Sequence, residues 1–410
     1  DGDGQVTFEE FECWWKWQEA EHRVEKMDAG AMAQELRDIP GFAETYLPGG
    51  GAFKVGDLFS NPRLARTISR LVEAGLDDFY RGGLAADIAE ELATAGSPVT
   101  AADLASYRAR RVAPLSLSLE QGTVYNLPPP TQGLASLMIL GIFQRLGIAE
   151  AEGFAHVHGL IEAFKHAYQV RDSMITDPAF MDQDPACYLE PGELDTRAAA
   201  IDPNCAGPWS TGGDPGDTIW LGAVDAEGRV VSYIQSLYWE FGSGLVLPRT
   251  GFPWQNRGCG FGIGPGSRHP ISPGRRPFHT LNPALAILND GRVMAYGTMG
   301  GDGQPQTQAT IFTRYAVFGS DLQEALSAPR WLLGRTWGTD SSMLHMESRF
   351  DDGLVTSLRN AGHAIQMAAP YAPFMGHAGA LVHHRDGLIE GASDPRSDGR
   401  AVGVVLKKGR

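Results

Sequence analysis

Asp217-Thr218-Ile219-Trp220-Leu221-Gly222-Ala223-Val224, then Asp225-Ala-Glu-Gly228, then Val230-Val231-Ser232-Tyr233-Ile234-Gln235-Ser236, is the stretch that divides this chain. Aromatic and β-branched residues dominate both runs and the middle has turn chemistry, so the stretch reads as a β-hairpin. A Gly- and Pro-rich loop, Thr211-Gly-Gly-Asp-Pro-Gly216, leads into it. Downstream, Asn289-Asp-Gly291 and Arg385-Asp-Gly387 separate apolar runs in the same way, which makes the C-terminal half mostly antiparallel sheet, with helical runs at 321–328 and 354–361. Upstream the periodicity is helical. Asn61 caps and Pro62 starts a helix in which Leu64, Ile68 and Leu71 recur at helical spacing; further helical runs cover Leu84–Leu92, Leu134–Leu146 and Phe154–Ile175. Helices before the hairpin and hairpins after it predict a layered α+β fold.

The composition narrows the function. A formal charge of −15 over 410 residues argues against nucleic-acid partners, which need clustered Lys and Arg to neutralise phosphates. Cys13, Cys187, Cys205 and Cys259 lie far apart with no C-x-x-C pair, so free thiols are expected rather than a zinc ribbon or a disulfide framework. The longest apolar stretch, Leu134–Leu146, is interrupted by Gln144 and Arg145 and falls short of the roughly 20 residues a membrane span needs, so it reads as a core helix. The chain opens on Asp with no leader pattern and reads as a fragment, which leaves the compartment open with a slight lean to the cytoplasm.

The first residues carry a separate signal. Asp1, Asp3, Gln5 and Glu10 match an EF-hand loop from its third position onward, with Gly4 at the sharp turn and Glu10 as the bidentate ligand, so residues 1–27 read as a partial EF-hand with its exit helix and a weak calcium site. In the helix at 154–175, His158, Glu162 and His166 share one face at i, i+4 and i+8. Two imidazoles and a carboxylate could hold zinc, but the H-E-x-x-H arrangement is missing and a polar helix face is the expected reading.

Thr218 by itself would be an ordinary strand threonine. Gly297-Thr-Met-Gly300-Gly301-Asp302, at the end of a strand, leaves backbone N–H groups able to point at one spot, as an oxyanion hole requires. Between them lies a hydroxyl- and imidazole-bearing turn, Pro277-Phe-His279-Thr280-Leu-Asn282-Pro283.

In order and spacing these pieces resemble the gamma-glutamyltranspeptidase family of N-terminal-nucleophile hydrolases. The likeness rests on Thr218, the turn at Asp225–Gly228, Phe241-Gly-Ser-Gly244, the Pro277–Pro283 turn, Gly297–Gly301, Met375-Gly-His-Ala378 and Asp394-Pro-Arg396-Ser-Asp-Gly399. Phe79-Tyr-Arg-Gly82, Leu127-Pro-Pro-Pro-Thr131-Gln132-Gly133 and Glu162-Ala-Phe-Lys-His-Ala-Tyr168 extend it upstream to about residue 40. The resemblance implies a layered α-β-β-α fold with a large-subunit-like region at 40–217, lacking its N-terminal part, and a small-subunit-like catalytic region at 218–410. It implies cleavage between Asp217 and Thr218, after which the Thr218 hydroxyl attacks an amide and the freed α-amine serves as base. Gly300 and Gly301 would hold the oxyanion, Ser236 would supply a hydroxyl beside the nucleophile, and no catalytic cofactor is needed. The partners expected are a small-molecule amide and the two fragments of the chain itself, with no nucleic acid and no membrane span.

Where the family's glutamate-binding stretch carries acidic residues, this chain has Gln255-Asn256-Arg257-Gly258, and His279 and Thr280 replace paired serines. An arginine there favours an anionic substrate over an amino-acid zwitterion. The likeness is greatest to the oxamate amidohydrolase-like branch, with Asn256, Arg257, His279 and Thr280 as substrate-binding residues and a small carboxylated amide as substrate. A glutathione hydrolase or gamma-glutamyltransferase is one alternative; a catalytically inactive calcium-binding EF-hand fusion is another.

Overall fold

The structure is a computed structural model that describes residues 35–404 apart from 54–55, 210–216, 263, 265–266, 268 and 335–340. The calcium-loop expectation at Asp1, Asp3, Gln5 and Glu10 lies outside the described residues. The chain forms two units, one from the residues up to Val112 with Leu237–Gly274, the other from Ala113–Ser236 with Arg275 onward.

In the first unit, α1 (Pro62–Ala74) begins as its sequence dictates: the Asn61 side chain accepts the Leu64 N–H at 3.0 Å, and Pro62 occupies the first turn, where no N–H is missed. Its apolar spacing misleads in one place. Ile68 is 52% exposed, and the residue the helix buries is Thr67, whose hydroxyl donates to the Thr250 carbonyl. In α2 (Gly83–Thr94), Leu84, Ile88 and Leu92 fall one turn apart and bury together with Phe42, Leu245 and Leu247.

The second unit is built on a six-stranded antiparallel sheet. Its strands are β1 (Leu115–Leu119), β2 (Gly122–Asn126), β5 (Ala284–Leu288), β6 (Val293–Thr298), β10 (Ala378–His383) and β11 (Ile389–Ser393), side by side in that order. The sheet therefore takes strands from both sides of Thr218, and a cut at that residue would leave the two pieces joined by the β2–β5 ladder. Helix α3 (Gly133–Arg145) packs on β1 and β2 and against α4 (Phe154–Met174). Residues 133–143 are all buried, as expected for a helix apolar all round. β3 (Asp217–Val224) and β4 (Val230–Tyr238) form a hairpin that packs through β3 on β6 and β10.

One local device closes the β3–β4, β5–β6 and β10–β11 hairpins: Asp225 Oδ1 accepts the Glu227 N–H, Asp290 Oδ1 the Arg292 N–H and Asp386 Oδ1 the Leu388 N–H. The C-terminal half is mostly antiparallel, as expected, with an exception in a separate three-stranded sheet. β7 (Trp331–Leu333) pairs antiparallel with β8 (Leu344–Glu347), but β8 and β9 (Ile365–Ala368) run parallel, joined through α8 (Asp352–Asn360), because a helical crossover returns the chain in its original direction. The helices between are α5 (Pro191–Ala199), α6 (Gln304–Phe312) and α7 (Leu322–Ser327). The fold is α+β.

Candidate active site

Thr218 stands at the start of β3, and its hydroxyl donates to Ser236 Oγ on β4 at 3.2 Å. What fixes β3 is Trp220, two residues on. Its ring lies where a side chain at Gly297 or Gly379 would be: a Cβ at Gly297 would come 2.2 Å from Trp220 Cδ1, and one at Gly379 2.4 Å from Cζ3. The indole N–H donates to Ser232 Oγ at 2.9 Å. Glycine at 297 and 379 is thus a packing requirement, since only a missing Cβ lets the ring settle on the sheet.

Gly300 and Gly301 follow β6 with φ of +116° and +50°, two successive left-handed residues that a side chain would strain. The turn closes with Gly303 N–H donating to the Gly300 carbonyl and runs directly into α6. Gly376 backs it: a Cβ on Gly300 would meet Gly376 Cα at 3.7 Å, and one on Gly376, itself at φ +91°, would meet Thr298 Oγ1 at 2.7 Å. Gly376 is held in turn by a buried ionic network. Arg330 donates to its carbonyl at 2.8 Å and pairs with Asp394, which also accepts the Ala378 N–H and pairs with Arg396, itself bound to Glu347. Burial favours a neutral Asp394, but Arg330 and Arg396 outweigh it and hold the carboxyl below its usual range, while burial lowers Arg330 to about 10, still cationic at neutral pH.

Gln132 ties the remaining pieces together. Its amide donates to the carbonyls of Thr280 and Gly301, each at 2.8 Å, and its oxygen accepts from Arg171 at 3.1 Å. Arg171, buried, pairs with Asp302 at 2.7 Å, and the Tyr168 hydroxyl donates to the Asp302 carbonyl. Burial disfavours the Arg171 charge, yet Asp302 and its neighbours raise the pKa above the ordinary arginine value. His279 pairs with Thr131 in a short parallel bridge, its N–H donating to the Pro130 carbonyl. Thr280 is buried, and its carbonyl is the group engaged by Gln132.

The other two expected substrate residues belong to the first unit. Asn256 is fully buried and its side-chain oxygen accepts the Trp239 N–H at 3.2 Å; the Arg257 guanidinium lies over the Tyr238 ring, 4.0 Å from its centroid. Tyr238 has φ +87°, a conformation rare for a side-chain-bearing residue.

The expected His158, Glu162 and His166 face is corrected. His166 is half-buried; the residue that joins His158 and Glu162 is His363, from beyond α8, whose Nε2 lies 2.9 Å from His158 Nδ1. One ligand atom from each of His158, Glu162 and His363 lies within 4.8 Å of the others, close enough to hold a metal ion. Lys165 decides against it. Its ammonium is 2.7 Å from Glu162 Oε1, so the carboxylate already carries a cation, and a divalent ion added there would bury positive charge that nothing offsets.

A model of the gamma-glutamyltranspeptidase family matches residues 18–404. The chain belongs to the gamma-glutamyltranspeptidase family. It is a hydrolase of that family, 54% identical over 370 residues to an oxamate amidohydrolase proenzyme of Klebsiella pneumoniae, a match covering 90% of this chain and 70% of the relative. A glutathione hydrolase-like proenzyme of Bacillus subtilis is 37% identical over 371 residues, again 90% of this chain and 70% of the relative. Among solved structures, a cephalosporin acylase from Bacillus halodurans superposes with a TM-score of 0.81 at 30% identity, covering 95% of this chain and 70% of that one. Residues 1–17, which hold the calcium-loop pattern, lie outside the family match.

The sequence motifs contain Gln132, Tyr168 and Trp220 without pointing to a role for them, and nothing local marks Arg171 or His363 as a partner of the residues they meet. Gln132 sits amid Pro130-Thr131-Gln132-Gly133, a loop signal with no local partner; its partners at Thr280 and Gly301 are 148 and 169 residues away.

Proposed function

We propose that the chain is a self-cleaving N-terminal-threonine amidohydrolase acting on a small carboxylated amide of the oxamate class. The observation that carries the reading is Thr218 at the head of β3, its hydroxyl on Ser236, in a unit whose β6 ends in the left-handed Gly300–Gly301 pair. In maturation the Thr218 hydroxyl attacks the Asp217 carbonyl carbon, the peptide C–N bond gives way to an ester, and water hydrolyses that ester. Asp217 is left as a carboxylate and Thr218 with a free amine and hydroxyl.

In turnover the same hydroxyl attacks the substrate amide. The α-amine, with a reference pKa near 8, takes its proton and passes it to the leaving ammonia, and a water then releases the acid. N–H groups of Gly300 and Gly301 stabilise the oxyanion, a contribution of about 3 kcal/mol per donor in other amidases. Arg257 and Asn256, with His279 and Thr280, take the substrate-binding roles; for Arg257 the support is sequence likeness, an arginine being suited to a carboxylate. The identity to the oxamate amidohydrolase proenzyme favours this substrate over a gamma-glutamyl one.

Intact-mass spectrometry of wild type beside Thr218→Ala tests it. Wild type should yield two fragments, the second beginning at Thr218, and release ammonia from oxamate faster than it cleaves gamma-glutamyl-p-nitroanilide. Thr218→Ala should remain one chain with activity lower by about a thousandfold or more. A wild-type chain that stays whole, or faster turnover of the gamma-glutamyl substrate, refutes the corresponding half of the reading.

A further inference from the structure

We propose that Glu162 and Lys165 form a clamp on Gly207 that positions the chain for cleavage before Thr218, a role resting on the self-cleavage reading above. Positions 158, 162 and 165 fall at i, i+4 and i+7 on α4 and so share one face of that helix. Along that face lies the segment 202–209. His158 Nε2 is 2.9 Å from the Asp202 carbonyl; a carbonyl only accepts, so this nitrogen carries the proton, and His158 Nδ1 is left to accept from His363. Glu162 Oε2 accepts the Gly207 N–H at 3.0 Å, and Lys165 donates to the Gly207 carbonyl at 2.8 Å and to Glu162 Oε1 at 2.7 Å. Both backbone groups of one residue are thereby taken by a buried ion pair. Ala206 N–H donates to the Ala361 carbonyl at 2.7 Å, and the Trp209 ring packs on Phe164 with centroids 5.2 Å apart.

Among the described residues, the hydrogen bonds of Glu162 and Lys165 go to Gly207 and to each other, not to the residues of the candidate active site. They fix the chain at Gly207, ten residues before Asp217, with Thr218 already fixed by β3 on the other side. Asp202, Ala206 and Trp209 are held beside it, and the clamp is the part of this seat that grips one residue by both of its backbone groups. Glu162 and Lys165 are positioning residues for maturation: the cleavage replaces the Asp217–Thr218 amide by a carboxylate and an amine at the expense of one water, and they touch neither group.

The test follows fragment formation in the full-length chain, by intact mass against time, for wild type, Glu162→Gln/Lys165→Met and Gly207→Ala. The double variant removes both charges together, so no unpaired ion is buried. Gly207→Ala keeps the charges but places a Cβ 3.0 Å from Glu162 Oε2, so the carboxylate must give way by a few tenths of an ångström and its bond to the Gly207 N–H is loosened. Both variants should mature about threefold or more slowly, the size of effect that losing one net hydrogen bond to the Gly207 backbone gives, with melting temperatures close to wild type and unchanged oxamate turnover per cleaved chain. Maturation at the wild-type rate in both, or a fall in turnover per cleaved chain equal to the fall in maturation, overturns the clamp while leaving self-cleavage intact. A wild-type chain that never cleaves removes both ideas, since nothing is then positioned.

Discussion

The two flanks of Thr218 are held by opposite means. Upstream, the segment 202–209 is held by bonds: Glu162, Lys165 and His158 each reach its backbone from one helix face. Downstream, β3 is held by gaps, since Trp220 occupies the space left by the absent side chains of Gly297 and Gly379. A flank held by hydrogen bonds to backbone is loosened step by step as each side chain is lost. A flank held by a ring in close contact with the sheet stays rigid as long as the core does. That division suits a bond that must be presented for cutting and a nucleophile that must stay put afterwards.

The contrast can be broken most strongly at Lys165. Lys165→Met alone leaves Glu162 buried without its cation, and breaking a buried pair in this way costs about 3–5 kcal/mol, to be read from urea unfolding. The double variant with Glu162→Gln should recover most of that loss; equal destabilisation of single and double variants would show that the pair, rather than the orphaned charge, carries the energy. Gly297→Val attacks the other flank. Its side chain collides with Trp220, and overpacking of this kind costs about 1–3 kcal/mol, with near-ultraviolet circular dichroism reporting the displaced indole. An unchanged tryptophan spectrum would count against the packing account.

Ser236→Ala is gentler. It deletes the 3.2 Å partner of the Thr218 hydroxyl while leaving both strands in place, and a net hydrogen-bond contribution of about 0.5–1.5 kcal/mol translates to a fall of about twofold to twelvefold in kcat on oxamate. Steady-state kinetics with KM unmoved would place the bond in the reacting state. Acid sharpens the comparison last. Burial, then Lys165 and His158, hold His363 down to about 3, below the ordinary histidine value of 6.5. Because the folded state resists a proton that the unfolded state accepts, this contribution to stability is complete above pH 6.5 and is lost as pH falls from there towards 3. Amide exchange at Ala206 and Gly207 should therefore quicken more between pH 7 and 5 than exchange in β3, once corrected for the intrinsic pH dependence.

Much of this was legible beforehand where the deciding interaction is local. Asp225, Asp290 and Asp386 each bond a backbone two residues on, and Asn61 caps α1 three residues on, so turn and cap chemistry could be read directly. The positive φ at Gly300 and Gly301 follows from the same kind of reading. Ile68 shows its limit: helical spacing identified it as inward, but spacing defines a face without saying that anything packs on it. The histidine face shows the same limit from the other side. Helical periodicity pairs His158 with Glu162 and offers His166 next, whereas the partner that arrives is His363, 205 residues from His158.

The sequence by itself determined the hairpins, the caps, the glycine pair and the family, because each depends on residues within a few positions or on a pattern shared along the whole chain. Only the tertiary structure decided that Gln132 joins Thr280 to Gly301, that Trp220 needs glycine at 297 and 379, that β8 and β9 run parallel, and that Lys165 rather than a metal answers Glu162. The physical reason is distance along the chain. Contacts between residues more than a hundred positions apart are set by which faces pack, and packing is a property of the folded whole that no local window contains.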